Sequence, residues 1–420
     1  MDNLTHSLVG VAMAEAAVQM RRRQGKPLST ASRQMLFWVS LVSNNFPDWD
    51  IVYTTLMGGR LSYLLHHRGH THTLILILPQ VAALLYLCYR LSLWRDMEIS
   101  KKDWRTIGLV SVLGMLVHLG MDGLNSYGIH PFWPFANHWI YGDALFIVEP
   151  WIWVSLLPVF FLGNFRAKIR IVFAFLFVVA LLLTWFSGYV PWYMALLVST
   201  WGIGMWRLLR NYAPGRRIFI GSASVVFVII LFLSLSFKVR GQYKDRFSES
   251  SVGSQLLDVV LNPLPSNPFC WWIFSVESYD KGRSYRVRLG MLAPFSGVIS
   301  ARKCPALRLG QGTAKLLATD DSGREDLLWF GEFRASSEGL KTLSEKNCHV
   351  RAFLKYARVP YYQSASADII MGDLRYDFER GLGFAEIQIP ANPVGCPGWE
   401  PNWEPPRQDL FQSVGSEPQP

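Results

Sequence analysis

Hydrophobic and polar positions divide the chain into two unlike parts. Up to residue 237, mainly apolar runs of about 17 to 22 residues, the length that crosses a bilayer core, recur between short polar segments. They predict spans at approximately 7–20, 35–57, 73–94, 105–124, 149–163, 170–187, 190–208 and 218–237. The first is the weakest, because it is short and contains Glu15, and it reads equally well as an interfacial or partly inserted helix. From Lys238 onward, period-two alternation, as in Tyr285-Arg-Val-Arg-Leu289 and Ala385-Glu-Ile-Gln-Ile389, predicts strands separated by Gly and Pro. The expected fold is a polytopic α-helical membrane protein of about seven or eight spans with a C-terminal extracytoplasmic β-rich domain. Its expected parts are a membrane domain with the first four spans at 1–148, scaffold transmembrane helices at 149–237, a soluble β-rich domain at 238–396 and a disordered tail at 397–420, rich in Pro, Gln, Ser and Glu.

Composition supports this division. Half of the residues are hydrophobic and 17% charged, against roughly 25% in soluble domains. The net charge of +10 raises the question of nucleic acid, but residues 1–237 hold 19 Lys/Arg and 10 Asp/Glu, a net of +9, while residues 238–420 are close to neutral. The basicity therefore belongs to membrane-flanking loops, and no nucleic-acid partner is expected. Assigning the loops alternately to two sides places sixteen Lys/Arg on one side and only Arg60 and Arg68 on the other. By the positive-inside rule the first side is cytoplasmic. No cleavable signal peptide is read, since Met1-Asp2-Asn3 lacks a cation.

This orientation gathers the chemistry. Eight of nine histidines lie in the first third of the chain. His6, the Asp48/Asp50 pair, the loop His66-His67-Arg68-Gly69-His70-Thr71-His72 and the His118/Asp122 pair all reach the extracytoplasmic face. Pro47 interrupts a helix just before Asp48 and Asp50, a setting for divalent metals; a helix-capping turn is the plainer alternative. His66, His70 and His72 offer neutral imidazoles at spacings of four and two, and His67 is left out because His66 already holds the position four before His70. His118 and Asp122, four apart on an apolar helix, point the same way, although such a pair also serves as a structural hydrogen bond. Asp2 is a candidate to orient an imidazole ring. The lysine- and arginine-free aromatic stretch 127–149, with His130, His138, Asp143 and Glu149, suits a substrate lip or an interface belt.

The candidate metal ligands are thus His6, Asp48, Asp50, His66, His70, His72, His118 and Asp122, enough for one to three divalent ions. Zinc is preferred, with manganese or magnesium as alternatives. Imidazole and carboxylate without thiolate suit hydrolysis, in which such ions lower the pKa of a bound water and clamp oxygens in displacement at phosphorus. Arg68, able to grip a phosphate or carboxylate oxygen, and Asn125 are the candidate catalytic residues. Cys270, Cys304, Cys348 and Cys396 sit in the part assigned to an oxidising compartment and permit three pairings; Cys88 lies within a span.

The motifs Asp2-x-x-Thr5-His6-x-x-x-Gly10, Pro47-Asp48-x-Asp50, His66-x-x-x-His70-x-His72 and His118-x-x-x-Asp122-x-x-Asn125-x-x-Gly128 resemble those of the YdjM-like inner-membrane metal-dependent hydrolases. The resemblance is strongest over the first 150 or so residues and weaker through Asn267-Pro-Phe-x-Trp271 and Asp373-Leu-Arg375. It implies the ligand set above, an inner-membrane location and a motif set similar to that of zinc-dependent phospholipase C. Members are sometimes described as LexA-binding, which no residue of this chain indicates. The expected function is metal-dependent hydrolysis of a phosphoester in a lipid or envelope molecule. A non-catalytic membrane-anchored binding or sensor protein with a structural metal site is the alternative. Metal transport fits poorly, because spans five to eight carry few ionisable residues. A cysteine placed in the 58–72 loop should react with an impermeant maleimide added from outside, and labelling only from the cytoplasm would reverse the orientation.

Overall fold

A computed structural model of the chain describes residues 1–250, 253–305, 312–319, 323–365, 368–378, 381–390 and 395–412. The N-terminal half is helical: α1 (Asn3–Arg23), α2 (Thr30–Ser43), α3 (Asp50–Met57), α4 (Gly59–His66), α5 (Leu74–Trp94), α6 (Lys101–Asp122), α7 (Pro150–Phe161), α8 (Ala167–Phe186), α9 (Trp192–Leu209) and α10 (Pro214–Ser250). Among the described residues, α5, α6, α8 and α10 are long and apolar enough to cross a membrane, and α7 is apolar but only 12 residues long. The other predicted stretches form shorter or more polar helices. The expected span at 35–57 is broken, because α2 stops at Ser43 and a 3-10 turn, Phe46–Trp49, carries Pro47 in its first turn before α3 begins. Leu78, Ile171, Phe175, Phe186, Phe219 and Phe227 are exposed on the long helices, an apolar exterior suited to lipid.

Two close helix approaches set the geometry of the first bundle. A Cβ on Gly10 of α1 would lie 2.7 Å from the Ser40 carbonyl oxygen, and one on Gly114 of α6 would lie 2.4 Å from Ser43 Oγ. Glycine at these points lets α1 and α6 press against α2. Asp2 caps α1 by accepting the Thr5 amide at 3.0 Å, and Thr73 and Ser100 cap α5 and α6. Away from the site, Asp103 accepts bonds from Arg21 and from Ser32, each at 2.8 Å, tying α6 to α1 and α2.

The helix expected to end at 237 continues to Ser250. At 37 residues α10 is roughly 55 Å long, well beyond a bilayer core of about 30 Å. Its extension repeats apolar residues every four positions, Val239, Tyr243 and Phe247, and buries them against the first sheet. That sheet is antiparallel in the order β1 (Ser254–Leu264), β2 (Asn267–Tyr279), β3 (Ser284–Leu292), β4 (Leu327–Ser336). Its strand alternation is buried on both sides. Val259, Leu261, Trp271 and Ile273 join the helix core, while Val260, Trp272, Phe274 and Val287 face a second core. The second core includes α11 (Ser337–Lys346), α12 (Cys348–Leu354) and a second antiparallel sheet, β5 (Pro360–Ala365), β6 (Asp368–Asp373) and β7 (Glu386–Pro390). Disulfides join Cys270 to Cys304 and Cys348 to Cys396, one of the three pairings that the spacing left open.

Charged side chains lock the sheets onto the helices. Arg358 donates to Asp143 at 2.8 Å and to Asp258 at 2.9 Å, and Asp143 also accepts from Arg240 of α10 at 2.7 Å. Arg375, fully buried, pairs with Asp373 at 2.7 Å and donates to the Ser126 carbonyl. The stretch 127–149 packs against the C-terminal domain: His130 stacks on Trp403 and lies tilted against Trp139, while Phe132 and Phe135 remain exposed.

The expected disordered tail also differs. Residues 395–412 run back over the His66–His72 loop, where the indole of Trp403 is buried and donates to the Leu65 carbonyl at 2.8 Å. Glu400, Asn402 and Glu404 around it keep the composition polar, but one anchored indole outweighs that bias. Residues 413–420 lie outside the described residues. Trp403→Ala should cost about 3–5 kcal/mol of stability in detergent unfolding, whereas Phe135→Ala, at an exposed position, should stay within about 0.5 kcal/mol. Equal effects would mean that this segment is not an anchored strap.

Candidate metal centre

Three segments meet at the end of α6. Asp48 comes from the turn after α2, His72 from the 3-10 turn His70–His72, and His118 and Asp122 from successive turns of α6. All four are buried, and one ligand atom from each lies within 4.8 Å of the others. This Asp/His group is positioned to bind a metal ion.

Its distances test the fit. His72 Nε2 lies 3.1 Å from His118 Nε2, 3.1 Å from Asp122 Oδ2 and 3.4 Å from Asp48 Oδ1. His118 Nε2 lies 3.4 Å from Asp122 Oδ2 and 3.6 Å from Asp48 Oδ1. Ligands bound tetrahedrally at 2.0 to 2.2 Å stand roughly 3.3 to 3.6 Å apart, so these pairs approximate the edges of one coordination shell.

The orientation of the rings agrees. His118 Nδ1–H donates to the Asn44 carbonyl at 2.7 Å, and His72 Nδ1 faces Thr71 Oγ1 at 3.0 Å and Asp50 Oδ2 at 3.3 Å. With the Nδ1 protons directed outward, the two Nε2 lone pairs converge on each other and on carboxylate oxygens. Such an array of acceptors suits a cation between them. Asp48 Oδ1 is buried without a hydrogen-bond partner among the described residues, as ligation requires. The carbonyl that orients His118 belongs to the C-cap of α2, so the helix break at Pro47 both frees an acceptor and delivers Asp48.

Asp50 stands one step back. It accepts from His67 Nδ1 at 2.9 Å, from the Arg68 amide at 2.9 Å and from Thr71 Oγ1 at 2.8 Å. Arg68 holds a left-handed backbone, φ 57°, secured by that amide bond. Its guanidinium donates to Asn125 Oδ1 at 2.9 Å and lies 3.1 Å from Asp122 Oδ1. Asp122 Oδ1 also meets His6 Nε2 at 3.2 Å and the Met1 amine, while the His6 ring stacks on His118. Asp48, Asp50 and His67 form a second adjacent group of possible ligands.

Two sequence candidates lie elsewhere. His66 faces the Trp399 carbonyl at 3.3 Å and stacks on that indole, and His70 packs against Trp399 and Trp403. Burial, with His66 nearby, pushes the His70 imidazole down to about 4, so it is neutral and held by packing. His67, set aside on spacing alone, instead orients Asp50; no linear pattern marks it, because its partner lies 17 residues away. Thr71 and the Asn44 carbonyl were likewise missed, although a helix end just before Pro47 is a signal for free carbonyls.

With the membrane helices and the buried Asp/His group in place, comparison with known proteins places the N-terminal part. Residues 1–194 match the family model of the YdjM inner membrane protein. The matched region contains every ligand of the four-residue group as well as α5, α6 and α8, in keeping with a membrane protein. Over 158 residues, 37% of the chain, it is 26% identical to the uncharacterized protein YfhP of Bacillus subtilis, and the match spans 44% of that relative's length. No solved structure matches.

Within this matched region, Asp50→Asn should weaken metal binding by about 10- to 100-fold by releasing His72, as read by competition with a chelator. His70→Ala should leave the stoichiometry of bound metal unchanged. Loss of the metal on His70→Ala, with retention on His72→Ala, would refute the assignment.

Proposed function

We propose that this protein is a multi-pass inner-membrane hydrolase that uses a divalent metal, zinc first and manganese or magnesium as alternatives, to cleave a phosphoester in a lipid or envelope molecule. The observation that carries this reading is the convergence of Asp48, His72, His118 and Asp122, with imidazole Nε2 atoms 3.1 Å apart and the Arg68 guanidinium 3.1 Å from Asp122. One ion suits this group, and Asp48, Asp50 and His67 offer a place for a second. Such an ion supplies a Lewis acid and lowers the pKa of a coordinated water. Arg68, fixed by Asn125, is placed to hold an anionic phosphoryl oxygen. His6, bonded through Nε2 to Asp122, keeps a buried Nδ1 without a partner and is the candidate to accept a proton. The loop charges support an extracytoplasmic site.

One feature favours a non-catalytic alternative. Four protein ligands, none more than 8% exposed, match the count of a closed structural site, as in a membrane-anchored binding or sensor protein. Cobalt-substituted protein separates the two, since an open position changes the spectrum when phosphate is added and a saturated site does not.

Purified full-length protein should carry stoichiometric zinc or manganese and hydrolyse members of a phosphodiester and phospholipid panel. Asp122→Ala and His118→Ala should each lower kcat/KM by at least about 100-fold. Absence of metal, together with an intact cellular phenotype in a His72→Ala, Asp122→Ala double variant, would remove the hydrolase reading.

A further inference from the structure

Between the metal centre and the C-terminal sheets lies a cavity of about 390 Å³, within the usual range of small-molecule sites. Its walls come from both halves of the chain. Tyr127, Leu145 and Ile147 line it from the loop after α6, and Leu264, Trp272 and Phe384 line it from the C-terminal domain. These walls are mainly apolar.

One end is polar, where His67, Arg68 and Asn125 line the cavity beside the metal centre. Arg68 and Asn125 are 2% and 4% exposed, and Arg68 Nε and Asn125 Nδ2 are buried without a hydrogen-bond partner among the described residues. The rest of the guanidinium is committed to Asn125 Oδ1 and Asp122, which fixes its position. Two buried N–H donors without acceptors call for an anionic oxygen ligand. Arg375 also lines the cavity, but its guanidinium is occupied by Asp373 and the Ser126 carbonyl, so it makes no second anion site.

The far side reaches the end of α8, one of the helices long and apolar enough to cross a membrane. Tyr189, in the turn between α8 and α9, and Ile147, 45% exposed, are part of the lining. Phe186 at the end of α8 is exposed beside that turn. A molecule with an apolar chain can thus enter from the apolar layer with its head toward Arg68.

We infer that this cavity seats the apolar chain of an amphiphile whose phosphate-bearing head lies on Arg68 and Asn125. The substrate of the proposed hydrolase is then an alkyl or acyl phosphoester, not a free sugar or nucleotide phosphate. The substrate assignment rests on the hydrolase reading, whereas the seat itself does not.

The test uses the full chain in amphipol, treated with chelator so that nothing is turned over, and equilibrium dialysis against labelled butyl phosphate, decyl phosphate and decanol. Decyl phosphate should bind at least about ten-fold more tightly than butyl phosphate, because of the buried chain, and than decanol, because of the head. Leu264→Trp, which fills the cavity, and Phe384→Ala, which removes part of its wall, should each reduce the chain-length preference below about three-fold. Equal affinity for the two phosphates, equal affinity for decanol, or a chain-length preference untouched in both variants overturns the proposal. Turnover is scored separately with metal-loaded protein. Binding of decyl phosphate without hydrolysis of any phosphoester upholds the seat and removes the hydrolase reading, while hydrolysis of bis-p-nitrophenyl phosphate without chain-length preference does the reverse.

Discussion

Three carboxylates, Asp48, Asp50 and Asp122, are buried together at the end of an apolar helix bundle. A buried carboxylate is tolerated only when paired and hydrogen-bonded. Arg68 brings one positive charge against Asp122, and His67, Thr71 and the Arg68 amide satisfy Asp50. The remaining negative charge falls to the imidazole pair or to an ion held by it. Much of the surrounding architecture serves this constraint: the broken helix before Asp48, the left-handed backbone at Arg68 and the close packing at Gly10 and Gly114 each bring one of these groups into reach.

The C-terminal domain is part of the same solution. Arg358 and Arg375, the long α10 and the Trp403 strap hold the sheets down on the loop after α6 and on the His66–His72 loop. Covering these loops keeps water from the charged cluster and strengthens every interaction within it. It also creates the apolar cavity, since neither half alone supplies all the walls. The metal centre and the cavity share Arg68 and Asn125, so the same side chains that balance Asp122 face the space beside it.

The features legible in the chain alone rest on local periodicity. Four membrane-length apolar helices, the strand alternation from Lys238 onward and the i, i+4 relation of His118 and Asp122 are properties of neighbouring residues, and they were legible without a structure. Pro47 marked a helix interruption inside the predicted 35–57 span, whereas His6, Asp48 and His72 were grouped by the charges of the loops and not by local spacing. Only the tertiary structure separated His72 from His66 and His70, because three histidines in one loop look alike until the loop turns and indoles from beyond residue 398 occupy two of them. The role of His67, the disulfide pairing, the burial of the strap and the cavity were decided at the same level. Each depends on contacts between segments far apart in the chain, for which local spacing carries no record.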